Sequence, residues 1–272
     1  MTDGVKTPAF PEIEHAYGPQ VHLLADPLLS LGLSILSSPD CRQPQLHHWI
    51  GRLYQGLLQA AVNHCFSQEK LRTPTRMVTL HPTEGVAEAL VPSPTAKSVV
   101  VALARAGTVP SHVCFDELNW FFNPENVRQD HLMMNRSTDE EGHVTGAQNY
   151  GAKIGGDITD RYVFIPDPMG ATGSTILQTL GQYRDRGTAK KWIALHLIVT
   201  PEYLRALRQR APNVEIFALR LDRGLSTTAA LREIPGRLWE EEKGLNEKQY
   251  IVPGAGGLRN PEQRLYLKKR QK

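Results

Sequence analysis

Cysteine is scarce: 272 residues carry three, Cys41, Cys65 and Cys114, far apart and with no C-x-x-C pair. That excludes a disulfide framework and a zinc knuckle, and leaves three buried, reduced thiols in a cytosol-like compartment as the expectation. Long apolar runs are also missing. The longest, Ser98 to Ala104 and Trp192 to Val199, fall well short of the ~18 residues that span a bilayer. Met1 to Tyr17 has acidic residues and two prolines but no apolar targeting segment. A soluble, cytoplasmic protein without membrane contact is therefore expected. Nor is there a large excess of charge: 31 basic against 28 acidic residues give +3. The stretch from Gly257 to Lys272 alone carries six basic residues against Glu262, so the rest of the chain is slightly acidic. This balance excludes a disordered acidic tail and a nucleic-acid coat, and nucleic acid is not an expected partner. No fixed-period repeat is present either.

What is present is a sequence of alternating elements. Leu46, Trp49, Ile50, Leu53, Leu57 and Ala61 recur at three- and four-residue spacing, so Pro44 to Val62 is predicted as an amphipathic helix. Leu23 to Leu36 is predicted as another helix, capped by Asp26 ahead of Pro27. Met77 to Leu80 and Val86 to Val91 look like the two strands of a hairpin. Then come strands at Ser98–Leu103, Leu132–Met134, Tyr162–Ile165, Trp192–Val199 and Val214–Leu219. Helices lie between them, up to Phe122, from Ile176 to Tyr183 and from Pro201 to Arg210. Short apolar strands alternating with helices predict an α/β fold with a largely parallel twisted sheet flanked by helices. In such sheets the strand-to-helix loops gather at the carboxyl edge, where ligands bind.

One loop at that edge carries the chemistry. The strand Val163-Phe164-Ile165-Pro166 delivers Asp167, and Pro168, Met169, Gly170, Ala171, Thr172, Gly173, Ser174 and Thr175 follow before a helix begins. Small residues let backbone N–H groups close around an anion, and a helix N-terminus adds partial positive charge. A Walker loop would need Lys after Gly173, where Ser174 stands, and G-x-G-x-x-G is absent. A carboxylate beside a phosphate cradle suits a ligand with vicinal sugar hydroxyls. The plainer alternative, Asp167 as a helix cap and the glycines as simple turns, stays open on spacing alone.

The same residues resemble a known family. Asp167 to Thr175, D-P-M-G-A-T-G-S-T, is similar to the D-P-M-L-A-T-G-G-S loop of uracil phosphoribosyltransferases. Val100 to Gly107 matches their apolar strand ending in R-A-G, and Gly244 to Gly254 nearly repeats G-L-N-E-x-x-Y-I-V-P-G. The blocks stand in the family's order, and looser similarity runs from Val21 to Asn260. The resemblance implies a type I phosphoribosyltransferase-like fold with a hairpin arm and a C-terminal hood. It divides the chain into an N-terminal extension (1–20), the catalytic domain (21–260, with an insertion at 226–242) and a basic tail (261–272).

The implied reaction moves ribose 5-phosphate from phosphoribosyl pyrophosphate to uracil or a related base, giving UMP and pyrophosphate with Mg²⁺. By resemblance, Ala171 to Thr175 cradle the 5-phosphate and Asp167 binds the ribose hydroxyls. Pro168 and Gly170 complete that loop, and Met169 and Ala171 line the base pocket. Arg105 contacts pyrophosphate, and Arg136 matches, less tightly, the arginine after the next strand. Tyr250 packs by the ribose, while Ile251, Gly256 and Leu258 occupy positions that read uracil through backbone groups. The family commonly forms homodimers or higher oligomers through a hairpin arm, for which Met77 to Val91 is the candidate. Cys114 beside His112 is expected to be core and not a nucleophile, and His47-His48 not a metal site.

Three departures stand out. Gly257 replaces an aspartate that helps the family bind phosphoribosyl pyrophosphate, directly or through Mg²⁺. Gly170 replaces a frequent Leu, which would loosen the base pocket. Ser226 to Glu242 interrupts the phrase begun by Leu221-Asp222-Arg223-Gly224-Leu225, and is expected to form a helix over the site, more an inert bulge than a lid. Gly257 keeps an alternative open: a weak or inactive relative that binds phosphoribosyl pyrophosphate or a nucleotide as a sensor.

Overall fold

A computed structural model describes residues 10–138 and 144–256, with the side chains of 134–150 left aside. In chain order the elements are β1 (Val21–Leu23), α1 (Pro27–Ser37), α2 (Gln45–Cys65), β2 (Gln68–Pro74), β3 (Val86–Pro92), β4 (Ser98–Ala104), α3 (Thr108–Phe121), β5 (Val127–Thr138) and β6 (Val144–Lys153). There follow β7 (Tyr162–Pro166), β8 (Met169–Gly170), α4 (Ser174–Gln182), β9 (Lys191–Val199), α5 (Pro201–Arg210), β10 (Val214–Leu221) and α6 (Thr228–Arg232).

The main sheet runs β1-β10-β9-β7-β4-β5-β6, with the two-residue β8 also on β9. Every pairing is parallel except β5 with β6. The central strands are buried on both faces, and their side chains sort by the two-residue period of a strand. Val100, Phe164, Ile193, Leu195 and Phe217 meet α1, α2 and α3 in one core. Val99, Val101, Val163, Ile165, Ala194 and Ile216 meet α4 and α5 in the other. Helices on both faces close this mostly parallel sheet, as the run of apolar strands predicts.

Several expectations need correction. Val21–Leu23 is an edge strand, paired parallel with β10. The helix starts only at Pro27, where Asp26 accepts the Leu29 N–H at 2.8 Å. Met77–Leu80 is not a strand: the Met77 carbonyl accepts from Leu80 and His81, a helical turn. The partner of β3 is Gln68–Pro74, in register from Gln68 opposite Pro92 to Pro74 opposite Val86. This ribbon is exposed on both faces, so no burial pattern marks its first strand. The strand at Leu132–Met134 extends over Val127–Thr138, and β6 pairs beside it. Cys41 is half-buried, whereas Cys65 and Cys114 are buried as expected.

Residues 226–242, expected to form a helix over the site, hold only the five-residue α6 and a single 3₁₀ turn at Trp239–Glu241. They pack beside the site and not as a long helix across it. Trp239 donates its indole N–H to the Pro201 carbonyl at 3.1 Å and meets Tyr17 edge-on. Glu242, 3% exposed, accepts from the Tyr17 hydroxyl, from Arg223 at 2.8 Å and from the Gly236 N–H at 2.9 Å. The segment ahead of β1 is thereby latched to the insertion.

Candidate active site

The carboxyl end of β7 carries Asp167 onto the sheet edge, and β9 holds it there. The Asp167 N–H donates to the Leu195 carbonyl at 3.0 Å, and the same oxygen accepts the Tyr54 hydroxyl at 3.3 Å. The Asp167 carbonyl lies 2.5 Å from His196 Nδ1. A carbonyl only accepts, so Nδ1 carries the proton, and Nε2 accepts the Tyr203 hydroxyl at 2.7 Å. Burial pulls the His196 pKa down to about 4, against the upward effect of the carbonyl bond, so the ring is neutral. Asp167 itself is half-buried. Its charge adds to burial in pushing the Tyr54 and Tyr203 hydroxyls upward.

The loop then runs on along β9 in the same direction, as the short parallel strand β8. Met169 stands opposite Ile198 and Gly170 opposite Val199. A Cβ on Gly170 would lie 2.9 Å from Val199 Cγ1 and 3.2 Å from the Tyr203 ring. Glycine there closes the loop onto β9, and the missing side chain leaves no open space. Thr200, wholly buried, binds the loop twice: its N–H donates to the Gly170 carbonyl at 3.0 Å and its hydroxyl to the Ala171 carbonyl at 2.6 Å. The same oxygen caps α5 by accepting the Tyr203 N–H. Gly173 turns the chain into α4 with φ +82°, and a Cβ there would meet Leu207 at 2.6 Å. Thr172 Oγ1 and Ser174 Oγ lie 3.1 Å apart at the open start of α4. That gives two hydroxyls and a helix N-terminus on one concave turn, an arrangement suited to an anion.

Arg105 follows β4, the neighbour of β7, so it reaches the same edge. The Ala104–Arg105 peptide is cis. A Cβ on Gly107 would stand 2.7 Å from the Pro166 carbonyl, so this glycine lets the two loops touch. Arg105 is exposed and makes no ion pair among the described residues.

Opposite the cradle stands the hood. Asp222, 1% exposed, is gripped by Arg220 through both oxygens at 2.6 and 3.0 Å. The pair clamps one peptide: Gly254 N–H donates to Asp222 at 2.7 Å, and Arg220 donates to the Gly254 carbonyl at 2.9 Å. Glu202, in the first turn of α5, accepts the N–H groups of Gly244 and Leu245. Asn246 accepts from Lys248 and Tyr250, each at 3.0 Å, and so shapes the tip. Ile251 and Ala255 pack against the same core cluster as Met169. Between cradle and hood lies a cleft of about 410 Å³, bordered by Thr172, Glu202, Leu245 and Asn246. A second cleft, about 550 Å³, adjoins it through Glu202 and Lys243 and runs to the insertion.

The structure thus gathers Arg105, Asp167 to Thr175 and the hood on one sheet edge, with Tyr250 exposed and Gly256 at its open end. Arg136 lies within β5 opposite Ala147, not after the strand, and its side chain is outside the described residues. Gly257 and Leu258, like the basic tail, also lie outside them. His196, Thr200, Glu202 and Asp222 were not legible as site-supporting groups. The one available signal was an imidazole inside the apolar run Trp192 to Val199. Cys114 is wholly buried, and burial raises its thiol pKa, which suits a core thiol.

Known proteins resemble the chain in sequence and in fold. A family model for uracil phosphoribosyltransferase matches residues 23–236. A uracil phosphoribosyltransferase of Levilactobacillus brevis is 26% identical over 236 residues, covering 86% of this chain and 93% of that protein. One of Pediococcus pentosaceus is 35% identical over 48% of this chain and 50% of its own length. One of Thermococcus sibiricus is 33% identical over 35% of this chain, and the match spans only about a third, 32%, of that relative. Among solved structures, a protein of Aquifex aeolicus superimposes with a TM-score of 0.65, covering 88% of this chain and 95% of that one at 21% identity. That likeness is one of fold.

Proposed function

Because the chain belongs to the uracil phosphoribosyltransferase family, we propose that it transfers ribose 5-phosphate from phosphoribosyl pyrophosphate to N1 of uracil, giving UMP and pyrophosphate. The observation that carries this reading is the cradle Ala171 to Thr175 behind Asp167, facing the hood across a cleft of about 410 Å³. Thr172, Ser174 and the start of α4 receive the 5-phosphate. Asp167, aimed by His196 through its own backbone, accepts the ribose hydroxyls. Arg105 offers a planar guanidinium to the pyrophosphate. Met169 and Ala171 line the base pocket, and backbone groups of Ile251, Gly256 and Leu258 read the base. Leaving-group departure creates oxocarbenium character at the sugar, so positioning and charge stabilisation suffice and no side-chain nucleophile is needed.

Mg²⁺ fits this site as a companion of the substrate. Asp167 is the acid at the cradle, and among the described residues the only close group of three side-chain ligands lies elsewhere. The ion would be held mainly by diphosphate and ribose oxygens, where it would neutralise the leaving group. Gly257 favours the second reading, a relative that binds phosphoribosyl pyrophosphate with little or no turnover.

The hairpin β2–β3 supports a homodimer. Leu71, Met77, Leu80 and Leu90 are all exposed on it, and an uncovered two-stranded ribbon is marginal in water. No helix among the described residues is long and apolar enough to cross a membrane.

The deciding experiment is formation of labelled UMP from labelled uracil, phosphoribosyl pyrophosphate and Mg²⁺. UMP that falls at least 100-fold with Asp167→Asn is the expected result. Binding of phosphoribosyl pyrophosphate without UMP, in a protein that gains turnover with Gly257→Asp, would favour the sensor reading.

A further inference from the structure

Far from the cradle, toward the amino edge of the sheet, three elements converge on a small polar cluster. β1 supplies His22, the end of α2 supplies His64, and the start of β10 supplies Glu215; one ligand atom from each lies within 4.8 Å of the others. Glu215 is six residues before the carboxyl end of β10, roughly 20 Å along the strand from the site edge. His22 is 4% exposed and stacked on Phe217, with ring centroids 4.4 Å apart and an interplanar angle of 18°. Its ring is therefore fixed by packing, with the His64 ring 4.2 Å away.

The distances around that ring differ in an informative way. Nδ1 lies 3.0 Å from Glu12 Oε1, an ordinary hydrogen bond. Nε2 lies 3.4 Å from Glu215 Oε2, longer than a good N–H···O bond. Two ligands on a tetrahedral ion, with bonds of about 2.1 Å each, are separated by roughly 3.4 Å. The remaining oxygen of Glu215 is occupied by Lys191. A histidine whose second nitrogen donates to a carboxylate is the usual outer arrangement of a metal-bound imidazole, and Glu12 supplies it. Two imidazoles and one carboxylate suit Zn²⁺, with a fourth position left for water.

We propose that His22, His64 and Glu215 bind one Zn²⁺ per chain, oriented by Glu12. The ion ties β1 to the end of α2 and to β10, and Glu12 links it to the segment before β1. The charges are compatible: Glu12 and Glu215 offset the ion, and Lys191 leaves a single positive excess near the surface. The competing occupant of the same gap is a proton. Burial alone would lower the His22 pKa, but the nearby Glu215 and Glu12 carboxylates outweigh it and raise it. An imidazolium bridging two carboxylates would need no metal.

The test uses the untagged full-length protein, stripped with chelator and titrated with Zn²⁺ in a calorimeter at pH 7.5, with Co²⁺ as a spectroscopic probe. One ion per chain at micromolar Kd or tighter, a tetrahedral cobalt spectrum and a higher Tm with Zn²⁺ are expected. Glu12→Gln should weaken binding about 10-fold, and His64→Gln at least 100-fold while the far-ultraviolet circular dichroism stays unchanged. Absence of uptake by the wild-type protein would overturn the site in favour of the bridging proton. Full affinity in both His64→Gln and Glu215→Gln would overturn it in favour of other ligands. The readout is independent of transferase activity.

Discussion

At position 196 an imidazole stands where the pattern of a buried strand asks for hydrocarbon. It earns its place through two hydrogen bonds, one to the backbone of Asp167 and one from Tyr203. The folded ring resists protonation until about pH 4, whereas an unfolded histidine takes up a proton near 6.5. Between those values the unfolded chain binds the extra proton. The contribution of His196 to stability is therefore complete above about pH 6.5 and is lost as pH falls toward 4, by about 3 kcal/mol in all. His196→Asn, which keeps a donor for the Asp167 carbonyl, should lack this part of the pH dependence. Urea unfolding of both proteins at pH 4, 5.5 and 7 checks it, and parallel stability curves would contradict it. The sequence made Asp167, Thr172 and Ser174 legible because their types match the chemistry of a phosphate. It could not expose His196, whose partner is a backbone oxygen 29 residues away.

Among the elements, the hood depends most visibly on a single ion pair. Arg220 and Asp222 face each other at the end of β10, and both hold the Gly254 peptide. Asp222→Asn preserves the shape and removes the charge, leaving Arg220 with no full counter-charge. A loss of about 3 kcal/mol in stability is expected. Amide exchange at Gly254 should accelerate, and the KM for the base should rise more than the KM for phosphoribosyl pyrophosphate. Equal changes in both constants would mean that the clamp serves the whole edge. Legibility at this scale follows burial. The runs Ser98–Leu103, Tyr162–Ile165 and Trp192–Val199 announce themselves because both of their faces are covered. β2 carries charged and polar residues on an exposed ribbon, so the ladder alone defines it, and the turn at Met77–Leu80 looked more strand-like than the strand. β6 is interrupted by glycines and gave no period-two signal.

At the scale of the molecule the hairpin β2–β3 stands out as a ribbon exposed on both faces. Replacing 68–92 with a short Gly/Ser linker should leave the two cores intact and yield a monomer by light scattering, against a wild-type dimer. A shortened protein that remains dimeric would move the interface elsewhere. The α/β class followed from the order of elements, because parallel strands need helical crossovers and these bring the loops to one edge. The contacts made by the segment ahead of β1 had no such rule behind them.

Those contacts have a consequence for how the protein is made. Tyr17 and Glu242 are 225 residues apart in sequence, and β1 joins the main sheet through β10. A ribosome releases the segment ahead of β1 well before β10 and the residues around Glu242. Until β10 emerges that segment has no sheet edge to join, while the central strands β4 and β7 can already meet. Closure of the fold is thus timed by the emergence of the insertion, and a nascent chain halted before it presents residues 10–24 to chaperones and proteases in the cell.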